Sequence, residues 1–76
     1  MWVKYYAGDP LAVVGLVSLD QVTKIRPAAT SVAGVIVWNV YATYSGGISE
    51  LRLNPDSLAT EDEAFAKIND ILVNGT

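Results

Sequence analysis

The sequence predicts an α+β domain, in which a four- to five-stranded antiparallel β-sheet (a meander or half-barrel) is followed by one C-terminal amphipathic α-helix. Short apolar segments separated by turn residues fill residues 1–53, and β-branched and aromatic residues are concentrated at positions 35–44. Apolar residues then recur at helical spacing after residue 60. Because 76 residues suffice for one domain only, we expect a sheet over residues 1–53, a connector over 54–59 and a helix over 60–74.

The first two strands are predicted to form a hairpin. Residues 2–7 have a strand pattern that ends at Gly8-Asp9-Pro10, where glycine permits positive φ and proline restricts it. A second short apolar segment follows at residues 11–17. Residues 18–22 then form a bend, in which serine and aspartate side chains can bond nearby backbone groups.

A third strand is predicted at residues 22–26. Pro27 either ends this strand or lies at a sheet edge, because proline cannot donate a ladder hydrogen bond. Residues 28–34 are small and polar enough to form a loop. We therefore expect the next strand to begin at Val35.

The strand at residues 35–44 is apolar on both faces. Its predicted core face carries Ile36, Trp38, Val40, Ala42 and Tyr44. Its opposite face carries Val35, Val37, Asn39, Tyr41 and Thr43. Because one helix can cover only one side of a sheet, we expect the second face to need a partner.

The end of the sheet and the helix have clear local signals. Residues 45–47 (Ser-Gly-Gly) predict a hairpin turn that leads into a half-exposed strand at residues 48–53. Thr60 and Glu63 have the spacing of a capping box, in which the two residues satisfy each other's backbone amides. Gly75 is a natural helix end. The predicted buried helix face consists of Ala64, Phe65, Ile68, Ile71 and Leu72.

The bend Ser18-Leu19-Asp20-Gln21-Val22 leads into a strand, within a chain ordered as hairpin, bend, longer hairpin and capped helix. In this order, over most of its length, the sequence resembles short, mostly uncharacterised bacterial and phage proteins. In that class one helix closes a small antiparallel sheet, as in a reduced pleckstrin-homology-like half-barrel. The resemblance implies a binding or assembly role, which a phage or mobile-element setting would favour, and it assigns no functional residue.

The composition excludes several kinds of chemistry. The chain has no cysteine and no histidine, so disulfides, thiol nucleophiles, Cys/His zinc sites and imidazole general bases are absent. The acidic residues Asp56, Glu61, Asp62 and Glu63 lack the spacing of a calcium loop, and helix capping explains them. No pair of carboxylates has the context of an acid–base pair. We therefore expect no enzyme activity, no metal and no cofactor.

The surplus of aromatic and apolar side chains points instead to an interface. The candidate interface residues are Val35, Val37, Tyr41, Trp2 and Tyr6. We expect a non-enzymatic interaction or assembly module that forms a homo-oligomer or binds a protein partner through this apolar and aromatic sheet face.

Two alternatives remain open. The first is a soluble module whose groove binds a peptide or a small apolar molecule. The second is a regulator that binds single-stranded nucleic acid through Lys24, Arg26, Tyr41 and Arg52. The net charge of −3 disfavours the second alternative, because affinity for phosphate depends on positive charge.

The sequence also bears on location. The N-terminus lacks the basic start and the unbroken apolar segment of a secretory signal, so we expect a cytoplasmic protein. Residues 27–49 carry no charge, but polar residues and glycines interrupt them. We therefore expect this segment to form sheet and not to cross a membrane.

Overall fold

The computed structural model describes residues 1–8, 10–45 and 50–74 of the chain. It confirms the predicted fold class, because a five-stranded antiparallel sheet is followed by one C-terminal helix. The elements, in chain order, are β1 (Trp2–Ala7), β2 (Ala12–Ser18), a 3-10 segment (Leu19–Gln21), β3 (Val22–Val32), β4 (Val35–Tyr44), β5 (Leu51–Arg52) and α1 (Glu61–Asn74).

The strands lie in the order β2-β1-β5-β4-β3, and every neighbouring pair is antiparallel. The short strand β5 occupies the centre, where it joins the β1–β2 hairpin to the β3–β4 hairpin. The edge strands are therefore β2 and β3. The predicted first hairpin is confirmed by the register of β1 against β2.

The sheet is coiled into a half-barrel. Ser18 at the end of β2 pairs with Trp2 at the start of β1, whereas Val22 at the start of β3 pairs with Tyr44 at the end of β4. Because β1 and β4 are both antiparallel to β5, these two pairs lie at opposite ends of the sheet. Only the 3-10 segment separates them, and three residues span at most about 10 Å. The sheet therefore bends until its two edge strands meet at this corner.

Hydrogen bonds hold this corner together. The Leu19 amide donates to the Met1 carbonyl at 2.9 Å, and the Ser45 amide donates to the Gln21 carbonyl at 2.7 Å. The Ser18 hydroxyl also accepts a hydrogen bond from the backbone amide two residues later, at 3.3 Å. The predicted bend after β2 is thus confirmed, and it closes the half-barrel.

The third strand does not end at Pro27. β3 continues to Val32, so the predicted end of the strand at residue 26 and the predicted loop at residues 28–34 are wrong. Pro27 pairs with Val40, whose amide and carbonyl both bond on the β5 side, to the Asn54 side chain and the Leu53 amide. The nitrogen of Pro27 therefore faces the open edge, where no ladder hydrogen bond is lost.

A two-residue turn joins β3 to β4. Val32 pairs with Val35, and the residues between them, Ala33 and Gly34, have φ values of 51° and 80°. Positive φ at both central positions is the geometry of the type I′ hairpin turn, whose twist matches that of the flanking strands. The outer part of this hairpin forms an arm with exposed apolar residues near its tip.

The core lies between the concave side of the half-barrel and α1, which packs against β3 and β4. Val40 and Ala42 are fully buried there, and Trp38 and Tyr44 pack against them, as the alternation of β4 predicts. Ile36 is an exception with 56 % exposure, because it lies on the hairpin arm. The buried core residues are Val3, Val17, Val40, Ala42, Leu53, Ala64 and Ile71.

The helix begins and packs largely as predicted. The Thr60 hydroxyl accepts a hydrogen bond from the Glu63 amide at 3.2 Å, and the Glu63 carboxylate accepts one from the Ala59 amide at 2.8 Å. The capping box predicts that the Glu63 carboxylate accepts from the Thr60 amide. The donor is instead the amide of Ala59, one residue earlier. Phe65 and Leu72 are 53 % and 55 % exposed, so their predicted burial is wrong. A helix buries only the strip directly above its sheet, and these two side chains lie on its flank.

Asn54 guides the chain out of the sheet. Its side chain is buried, with 1 % exposure, and its Oδ1 accepts a hydrogen bond from the Val40 amide at 2.8 Å. Its Nδ2 donates to the Asn39 Oδ1 at 3.0 Å and to the Asp56 carbonyl at 2.7 Å. The Asn54 side chain therefore continues the hydrogen bonding of β5 after the backbone has turned away.

Two further sequence-based expectations concern the region around β5. The predicted turn at residues 45–47 and the predicted strand at residues 48–53 fall partly on residues 46–49, which lie outside the described residues. Of that strand, the structure assigns residues 51 and 52. Within the described residues, no helix has the length and apolar character needed to cross a membrane.

Candidate functional site on the outer side of the half-barrel

The convex side of the half-barrel, here called the outer side, points away from the core. Side chains alternate along each strand, so the neighbours of core residues such as Val3 and Ala42 point outward. Residues paired across adjacent strands point to the same side. The register therefore places on the outer side the residues Trp2, Lys4, Tyr6, Val13, Leu16, Lys24, Arg26, Val35, Val37, Asn39, Tyr41 and Arg52.

Tyrosine and arginine alternate across the middle of the outer side. Tyr6 on β1 pairs with Arg52 on β5, Arg52 pairs with Tyr41 on β4, and Tyr41 pairs with Arg26 on β3. Directly opposed residues have Cβ atoms about 5 Å apart, so neighbouring side chains in this set are in reach of one another. We call these four residues the tyrosine–arginine row.

An ion pair orders one end of the row. Arg26 donates from Nε and Nη2 to the two carboxylate oxygens of Glu50, at 2.7 and 2.5 Å. The Arg26 guanidinium carbon lies 5.8 Å from the centre of the Tyr41 ring. This distance suits a cation–π contact, so the guanidinium is held over the ring by two partners.

The same contacts shift two pKa values. The hydrogen bond from Arg26, followed by its positive charge and that of Lys24, holds the pKa of Glu50 below its ordinary value against the opposing effect of desolvation. The hydrogen bond to Glu50 raises the pKa of Arg26. Both residues therefore remain charged at neutral pH. Both are also partly exposed, so salt screens their attraction.

The second arginine of the row is anchored to the backbone. Arg52 donates from Nε to the Asn54 carbonyl at 3.0 Å, and its side chain is half-buried. Arginine is enriched in protein interfaces, where its planar guanidinium offers a flat surface and several N–H donors. The row thus presents a pre-ordered polar and aromatic surface.

Apolar side chains flank the row on β1 and β2. Trp2 is 63 % exposed, Leu16 is 57 % exposed and Val13 is 52 % exposed. Val13 pairs with Tyr6 and therefore extends the row onto β2. Sequence reasoning did not single out Leu16 and Val13, because the edge position of β2 depends on pairing with distant strands.

Charge is divided between the outer side and the helix. Four of the five basic residues of the chain (Lys4, Lys24, Arg26 and Arg52) lie on the outer side, where Arg26 is paired with Glu50. The helix carries four carboxylates (Glu61, Asp62, Glu63 and Asp70) and Lys67, for a net charge of −3. The net charge of the whole chain conceals this separation.

The predicted site residues fall into two groups. Tyr6 and Tyr41 belong to the row and Trp2 lies four positions from it along β1, whereas Val35 and Val37 lie on the hairpin arm. Val35 is 61 % exposed and Val37 is half-buried. The residues predicted for nucleic-acid binding are closer together. The row contains Arg26, Tyr41 and Arg52, and Lys24 lies two positions from Arg26 in β3.

A groove provides the geometry for the ligand-binding alternative. It lies between α1 and the start of β3 and has a volume of about 310 Å³. That volume is at the low end of the range of ligand pockets, which is about 300–1,000 Å³. Ligand binding therefore stays a prediction. The lining residues are Leu19, Val22, Thr23, Lys24, Ile25, Ile68 and Leu72.

Comparisons of the chain with protein-family models, with curated proteins and with solved structures find no match.

Proposed function

We propose that this chain is a non-enzymatic assembly module, which associates with further copies of itself through the outer side of its half-barrel. The observation that carries this proposal is the combination of the tyrosine–arginine row with the exposed Trp2 and Leu16, on the side that α1 leaves uncovered. Tyrosine, tryptophan and arginine are enriched among the few residues that dominate the binding energy of protein interfaces. The outer side combines all three.

A second copy is the partner that the charges favour. The outer side is positive and the helix of the same chain is negative, so two copies attract each other in some orientations. The exposed apolar residues beside the row add area that association would remove from water.

Sedimentation velocity over a range of concentrations tests this function. We expect the mean mass to rise with concentration, and we expect Trp2→Ala combined with Leu16→Ser to weaken association at least tenfold. Ile36→Ser is the matched control, because Ile36 is similarly exposed but lies on the hairpin arm away from the row. A monomer up to about 1 mM, where association would still contribute about 4 kcal/mol, would rule the function out.

A second candidate function is binding of single-stranded nucleic acid. It is favoured by the position of four basic residues on the same side as Trp2, Tyr6 and Tyr41, because bases stack on aromatic rings while cations follow the phosphates. Fluorescence anisotropy with labelled single strands tests it. Binding should weaken as salt increases and should be lost in Tyr41→Ala. Flat isotherms at low salt would eliminate this candidate.

A further inference from the structure

The outer side and α1 complement each other in two respects. The part of the outer side formed by β3, β4 and β5 carries Lys24 and Arg52, whereas the part formed by β1 and β2 carries the exposed apolar residues Trp2 and Leu16 beside Lys4. The two ends of the helix differ in a complementary way. Its first turn is acidic, with Glu61 as the first of three carboxylates, and its last turn exposes apolar side chains.

Two exposed residues of α1 lie on the side turned away from its own sheet. Ala64 and Ile71 are buried against β3 and β4, and successive helical residues are 100° apart. Asp62 and Val73 therefore lie on the opposite side of the helix. Both are exposed, and Val73 is 63 % exposed.

We propose that α1 of one copy docks across the outer side of the next copy, with its acidic first turn over Lys24 and Arg52 and its apolar last turn over Leu16 and Trp2. This proposal rests on the proposed self-association and names the surface that covers the outer side.

Contact between two outer sides is the opposing arrangement, and the charges disfavour it. Two surfaces that each carry four basic residues would face each other, with Lys24 and Arg52 of each copy near those of the other. When α1 of one copy docks on the outer side of another, the first copy keeps a free outer side and the second keeps a free helix. Such a head-to-tail contact continues beyond the dimer, into a ring or a filament.

Two variants that each lose one surface provide the test. Lys24→Gln with Arg52→Gln removes charge from the outer side, and Glu61→Gln with Asp62→Asn removes charge from the helix. We expect each variant alone to self-associate at least tenfold more weakly than the wild type in sedimentation velocity. Circular dichroism and the thermal unfolding midpoint establish that both variants fold.

An equimolar mixture of the two variants separates the arrangements. The outer-side variant still has an intact helix, and the helix variant still has an intact outer side. These two surfaces can dock once, so we expect a 1:1 complex with an affinity close to that of the wild type and with no larger species. Contact between outer sides predicts that the helix variant associates like the wild type and that mixing changes nothing. That result would overturn the head-to-tail arrangement while leaving self-association intact.

Disulfide trapping checks the orientation, because the chain has no cysteine of its own. Lys24→Cys and Asp62→Cys are made in separate chains, mixed and oxidised by air. We expect the mixed disulfide to exceed either homodimeric disulfide at least tenfold. A predominance of the Lys24→Cys homodimer would overturn the proposal. A wild type that is monomeric at all concentrations would instead remove the function on which the proposal rests.

Discussion

The guanidinium of Arg26 on β3 donates two hydrogen bonds to the carboxylate of Glu50, across the intervening strand β4 and over the ring of Tyr41. The pair joins an edge strand to the segment that enters the central strand β5. In the described part of the chain, β5 has two residues and lies between the two hairpins of the sheet, so a contact that ties its entry to β3 supports the outer side. Two predictions concern this region.

Acid should weaken the fold partly through Glu50. Its pKa in the folded state is lower than the ordinary value of 4.5, so the ion pair stabilises the folded state fully above that pH. This contribution is lost as the pH falls below 4.5 through the lowered pKa. Glu50→Gln should therefore destabilise the protein at pH 7 and have less effect at pH 3, as measured by urea unfolding at both values.

Asp56→Asn is the control for the loss of one negative charge, because it removes an exposed carboxylate outside the ion pair. At pH 7 it should lower the urea midpoint less than Glu50→Gln does, because no ion pair is lost. If Glu50→Gln and the wild type differ equally at pH 3 and pH 7, the ion pair does not contribute to the pH dependence.

Loss of the Asn54 side chain should be costly. Asn54→Ala leaves the buried Val40 amide and the Asn39 Oδ1 without their described partners, and each unsatisfied buried group costs about 1–3 kcal/mol. We expect the free energy of unfolding to fall by at least about 2 kcal/mol in urea unfolding. Asn69→Ala, at an exposed helix position, should change it by less than about 0.5 kcal/mol. Equal effects of the two substitutions would contradict the role of Asn54.

Local patterns sufficed to predict much of the fold. The alternation of β4 identifies the core face that holds Val40 and Ala42, and the spacing of Thr60 and Glu63 identifies the start of α1. Each of these features depends on residues close together in the chain. The fold class is correct for the same reason.

Features set by distant pairing could not be predicted. Pro27 lies inside β3 because Val40 directs its hydrogen bonds toward β5, and nothing near Pro27 in the sequence specifies that direction. The tyrosine–arginine row has the same origin. Tyr41 and Arg52 are recognisable one by one as candidates, but the register of four strands sets them side by side.

The turn between β3 and β4 offers a stabilising substitution. Ala33 has a φ of 51°, a left-handed conformation that asparagine adopts more readily than alanine. Ala33→Asn should raise the free energy of unfolding by about 0.5–1 kcal/mol, since it produces the Asn-Gly pair preferred in type I′ turns. The control is Ala29→Asn in β3, where asparagine disfavours the strand, so stability should fall. A loss of stability in Ala33→Asn would contradict the type I′ geometry.

Gly15 makes room for the Tyr5 ring, which packs over it from the paired position on β1. A Cβ at Gly15 would lie 2.7 Å from the Tyr5 hydroxyl and 2.9 Å from Cε1. Because Tyr5 packs against the core, its ring must shift out of this packing to admit a methyl group. Gly15→Ala should therefore lower the free energy of unfolding by about 1–3 kcal/mol.

A double-mutant cycle isolates this clash from the other effects of adding a methyl group. Tyr5→Leu removes the ring and lowers stability by itself, through lost burial. In that background Gly15→Ala should have almost no cost, so urea unfolding of the four proteins should give a coupling energy of at least about 1 kcal/mol. An equal cost of Gly15→Ala in both backgrounds would show that the ring does not pack on the glycine.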